Sequence, residues 1–62
     1  MRLIKLKEVM DSTGLGRSTI YNYIADKTFP KPVKLGKRSV AWVESEVHDW
    51  ILERIEERDL LK

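Results

Sequence analysis

The chain has no cysteine and a single histidine. Disulfides and thiolate metal sites are thereby excluded, and the composition suits a reducing compartment, for which the expectation is the cytoplasm. His48, among acidic neighbours, has no second histidine or cysteine to complete a metal site, so no metal and no cofactor is expected. Long apolar runs are missing too. The longest, Val40 to Val43, is far too short to span a bilayer, and no apolar segment follows the basic Met1-Arg2, so neither a membrane span nor a signal peptide is predicted. Two prolines and three glycines leave few punctuation points, and there is no internal repeat. With 62 residues, one small domain spanning 1–62 is expected, with a core thin enough for its two tryptophans to matter.

What is present is organised around Gly14-Leu15-Gly16 and the segment after it. Gly14 suits the left-handed end of a helix, Leu15 is an apolar residue inside the turn, and Gly16 is an acceptable N-cap. Leu6, Val9 and Met10 recur at i, i+3, i+4, predicting a first helix over 6–13. Ile20, Tyr23 and Ile24 do the same, predicting a second over 17–27. Ser18, Tyr21, Asn22 and Ala25 then lie on the opposite side, a small, uncharged, hydrogen-bonding face suited to base edges in a major groove. Helix, glycine-containing turn, helix is the helix-turn-helix arrangement, although two amphipathic helices alone equally describe a plain helical hairpin.

The continuation decides between them. Phe29 precedes Pro30, which disfavours helix there. Pro30-Lys31-Pro32 reads as a stiff connector. Val33-Lys34-Leu35 alternates apolar and basic, as a half-buried strand would. Gly36 to Ser39 reads as a turn, with Gly36 supplying its freedom, and Val40-Ala41-Trp42 as the return strand. The result is a wing over 33–42 with Lys37 and Arg38 at its tip. A last helix is predicted over 44–58, with Val47, Trp50, Ile51 and Ile55 as its buried stripe and acidic residues at its start. Trp42 and Trp50 are both expected in the core, since both continue apolar periodicities. The predicted fold is therefore mainly α with a small β-hairpin, a winged helix-turn-helix.

Charge follows the same division. Between Arg17 and Trp42 six basic residues stand against one acidic, a net of +5. From Val43 to Lys62 three basic residues stand against seven acidic, a net of −4. The middle is a candidate polyanion surface and the last third faces away from one. Arg17, Ser18, Thr19, Tyr21 and Asn22 are the candidates for the major groove. Lys31, Lys34, Lys37 and Arg38 are the candidates for backbone or minor-groove contacts. Asn22 is able to pair bidentately with adenine, and Arg17 with guanine or a phosphate.

Gly14-Leu15-Gly16-Arg17-Ser18-Thr19-Ile20-Tyr21, then Phe29-Pro30-Lys31-Pro32-Val33-Lys34-Leu35-Gly36, then Val40-Ala41-Trp42, Ser45-Glu46-Val47 and Trp50-Ile51 together resemble the AlpA-type prophage regulators. These are small winged helix-turn-helix proteins related to the MerR DNA-binding domain and to phage excisionases. The resemblance covers nearly the whole chain; it departs at Gly16, where the family commonly has serine. It implies a sequence-specific, double-stranded-DNA-binding transcription regulator of a prophage or mobile element, with an integrase or host factors as further partners. An excisionase that bends attachment-site DNA is the neighbouring alternative. MerR-type proteins pair through a long C-terminal coiled coil that this chain is too short to hold. The expected state is accordingly a monomer in solution that gains affinity by binding beside another copy on DNA.

Two other classes remain open at this stage: a protein-interaction factor acting through the acidic last helix, and an RNA binder, for which Tyr21 alone offers an exposed stacking ring. An enzyme is not expected. Ser18 and Tyr21 lack the Arg/His cluster that phosphoryl transfer needs, and Gly14 and Gly16 do not follow a strand as a nucleotide loop would.

Overall fold

A computed structural model describes residues 1–61; Lys62, counted above in the acidic third, lies outside the described residues. The order is β1 (Leu3–Ile4), α1 (Leu6–Thr13), α2 (Arg17–Ala25), β2 (Val33–Lys34), β3 (Val40–Val43) and α3 (Glu44–Leu60). Three helices and a small antiparallel sheet form a winged helix-turn-helix. The sheet is larger than the hairpin expected. The lead-in Leu3-Ile4 pairs with β3, so the strand order is β1-β3-β2 and β3 is central. Two residues carry too little periodicity to announce a strand.

Gly14 ends α1 as expected, at φ 74°, and its amide donates to Met10 O at 2.8 Å. Gly16 caps α2 with extended backbone and no side-chain bond. That helix ends at Ala25, two residues before the expected Lys27. Lys27 itself adopts φ 64°, its amide donates to Ile24 O, and the Thr28 amide reaches back to Tyr23 O at 2.8 Å. These two bonds form a Schellman motif, with lysine where glycine is usual. Gly36 differs in the other direction: it has no positive φ, so the wing turn does not use its freedom.

The core is Ile4, Val9, Ile20, Phe29, Trp42 and Val47, with Leu6, Met10, Leu15, Tyr23, Ile24, Val40, Trp50 and Ile51 packed around it. Trp42 is fully buried and donates its indole N–H to Pro30 O at 3.0 Å. Trp50 is only half-buried. It packs edge-on against Phe29, donates to Thr28 O at 2.6 Å, and is covered on its outer side by the Arg54 guanidinium, 4.9 Å from the ring centroid. Placing both tryptophans in the core therefore holds for Trp42 alone. Ile55, expected in the buried stripe of α3, is exposed, because the helix has by then run past the body. Val33 and Leu35 are exposed as well, since β2 is an edge strand and their side of the sheet has no second layer.

The start of the chain ties two helices together. The Glu44 amide donates to Arg2 O at 2.8 Å. The Arg2 guanidinium bridges Glu44 in α3 and Glu8 in α1, the latter at 3.1 Å. Its hydrogen bond to Glu44 and the two carboxylate charges push its pKa above the usual arginine value. α3 begins at Glu44, with Glu44 and Glu46 in its first turn, where carboxylates complement the helix dipole.

Candidate nucleic-acid interface

The turn after Gly14 sets the direction of α2, and Ile20, fully buried, fixes its rotation. Arg17, Ser18 and Asn22 are consequently exposed, and Thr19 is half-buried. Tyr21 is not simply outward. Its ring stands edge-on to Trp42, with centroids 6.3 Å apart, and it retains 38% exposure. It thus joins the exposed face of α2 to the central strand of the wing. The first turn of α2 carries no acidic residue and no side-chain cap. Its free amides and positive dipole end therefore open beside Arg17, an arrangement that favours an anion. The start of α3, with its two glutamates, is built the opposite way.

The wing is closed by the Leu35 amide, which donates to Ser39 O at 2.7 Å. Gly36, Lys37 and Arg38 protrude between them. The sheet register sorts the side chains. Lys34 lies opposite Val40, and Ile4 opposite Trp42, so these four share the face turned to the core. Lys34 emerges from the edge of that face, on the side to which Tyr21 packs. Lys31 is exposed in the connector one residue beyond Pro30, which the Trp42 indole anchors.

Lys5 was not singled out by the sequence, yet it braces the wing. Its ammonium donates to Ser39 Oγ at 2.8 Å, tying the segment before α1 to the base of the wing tip. The only signal for it was a lysine in the extended lead-in.

The electrostatics divide as the charge count does. Among the described residues, the three arginines in ion pairs are Arg2, Arg54 and Arg58, with Glu8 and Glu44, Glu57, and Asp59 respectively. Arg17, Lys31, Lys34, Lys37 and Arg38 have no carboxylate partner among these residues, and neither do Lys5, Lys7 and Lys27. The basic surface is not neutralised from within. No cluster of His, Asp or Glu among the described residues is arranged to hold a metal, and no helix is long and apolar enough to cross a membrane.

Comparison with known proteins adds a lineage to this geometry. A family model described as prophage CP4-57 regulatory protein (AlpA) matches residues 2–55. The DNA-binding transcriptional activator AlpA of Escherichia coli (strain K12) is 38% identical over 60 residues, 87% of this chain and 86% of that protein. The uncharacterized protein ORF88 of Enterobacteria phage P4 is 48% identical over 54 residues, 87% of this chain and 61% of that protein's length.

Proposed function

The chain belongs to the family of the prophage regulatory protein AlpA, and from that premise we propose that it is a double-stranded-DNA-binding regulator of transcription for a prophage or related element. One observation carries the reading: the basic residues of α2, the connector and the wing all stand without a carboxylate partner among the described residues, while the cations that do form ion pairs, Arg2, Arg54 and Arg58, lie elsewhere. A polyanion is the partner such a surface lacks. The uncharged face of α2 supplies what reads bases. Asn22 carries a donor and an acceptor for an adenine edge, Ser18 and Thr19 offer hydroxyls, and Arg17 sits at the helix start for guanine or a phosphate. Lys31, Lys34, Lys37 and Arg38 hold the backbone. The protein acts as one domain, as a binder rather than an enzyme, in the cytoplasm where its DNA lies. It is monomeric until DNA brings copies side by side.

Reading and holding fail differently. Asn22→Ala is expected to lose about 1–3 kcal/mol on the cognate duplex and little on a scrambled one, because a base-edge pair discriminates. Arg38→Ala is expected to weaken both and to lower the slope of log affinity against log salt by about one. Titrations of both variants on both duplexes at several salt concentrations check this. Equal losses for Asn22→Ala on the two duplexes would remove α2 from the major groove. A footprint on the element's own DNA is expected next to a promoter; protection of attachment-site arms instead would make the protein an excisionase.

A further inference from the structure

The sheet has one face in the core and a second with its centre, Ala41, buried at 2% exposure while Leu3, Val33 and Leu35 around it stand open. The register puts Leu3, Val33, Ala41 and Val43 on the second face. Leu35 continues it, since its bond to Ser39 keeps the same pairing. None of these five packs against the core cluster. Leu3 and Val33 each remain 40% exposed and Leu35 51%. A contiguous exposed apolar strip on so small a domain is a marker for contact. Lys5 lies at its edge, held on Ser39. The strip is apolar with Lys5 at its rim, and it is turned away from α2, whose Tyr21 packs on the opposite face through Trp42.

A second unpartnered surface has the complementary character. Leu52, Ile55, Glu56 and Asp59 follow i, i+3, i+4, i+7 along α3 and so share one face. Leu52 is 43% and Ile55 39% exposed. From Ile55 to Leu61 every residue is exposed, so this end of the helix stands clear of the body. Between Glu53 and Asp59 four carboxylates outnumber two arginines.

We propose that these surfaces meet between copies: the outward sheet face of one copy receives the Leu52–Asp59 face of α3 from the next. The proposal rests on the DNA reading above. Leucine and isoleucine cover the apolar strip, while Glu56, which has no cation partner among the described residues, reaches Lys5 at its rim. Pairing α3 with α3 about a two-fold axis would instead bring the carboxylates of that face against their own copies. A head-to-tail contact leaves one surface open at each end, so it propagates, and copies aligned along DNA form a run. The contact is small and weak in free solution. On DNA, the neighbour's high effective concentration makes it count.

The absence of cysteine makes the test direct. Chains carrying Leu52→Cys or Leu35→Cys are oxidised, separately and mixed, on a long random-sequence duplex. Mixed disulfides are expected to exceed either homodisulfide roughly tenfold, as adjacency on DNA implies. In parallel, Leu52→Lys is expected to abolish cooperativity on the long duplex and leave unchanged the affinity for a duplex that holds one copy. Equal disulfide yields, a dominant Leu52–Leu52 product, or cooperativity unaffected by Leu52→Lys would each overturn the contact. If the unsubstituted chain fails to bind even the short duplex at low salt, it is the DNA reading that falls, and this contact falls with it.

Discussion

Trp42 and Trp50 each donate an indole N–H to a carbonyl of the connector after α2, at Pro30 and Thr28 respectively, but at different depths. Trp42 sits in the central strand, flanked by β1 and β2 and met by Tyr21 from α2. Trp50 sits at the edge of α3, between Phe29 and Tyr23 on one side and Arg54 on the other. The same side chain serves as a keystone in one place and as a clasp in the other. The centre of this small core thus lies in the sheet, and α3 is attached to it through its first half. The two indoles also bracket Phe29, which explains how a connector with so little regular structure holds a buried ring.

That contrast yields graded expectations. Trp42→Ala should cost about 3–5 kcal/mol, enough to unfold much of a domain this size, and a thermal melt would register it. Trp50→Ala should cost about 2 kcal/mol, since part of its surface is already outside and less of a cavity is left. A melt showing equal losses would mean that depth does not separate the two. Trp50→Phe should lose roughly 1 kcal/mol, the worth of one hydrogen bond whose carbonyl partner water can still reach. Arg54→Ala should cost least, about 0.5–1 kcal/mol for an exposed cation over a ring, and the loss should be absent in a Trp50→Ala background.

The sequence made α1, the Gly14 stop, the rotation of α2 and the wing legible because each carries a period or a residue with one conformational use. It did not reveal β1, whose two residues have no period to read. It misjudged the end of α2, where Lys27 takes a left-handed turn that composition assigns to glycine. Alternation in Val33-Lys34-Leu35 signalled a strand correctly and its burial wrongly, because alternation says that two faces differ, not that a second layer exists. Trp50 and Ile55 shared one stripe with Val47, yet a stripe does not say where the body ends beneath a helix. The candidate interface was readable as residue types along the chain. The Tyr21–Trp42 contact and the Lys5–Ser39 bond were not, since both join residues far apart in sequence.

The pairing of Leu3 with Val43 also sets a timetable for synthesis. The ribosome makes β1 first, but its partner strand comes some forty residues later, and chains emerge at about 5–20 residues per second. For seconds the helix-turn-helix exists without the strand that backs it and without Val47 to close the core. Tyr21 has no Trp42 to lean on until then. The nascent chain should therefore remain unable to grip DNA until Trp42 and Val47 have left the exit tunnel.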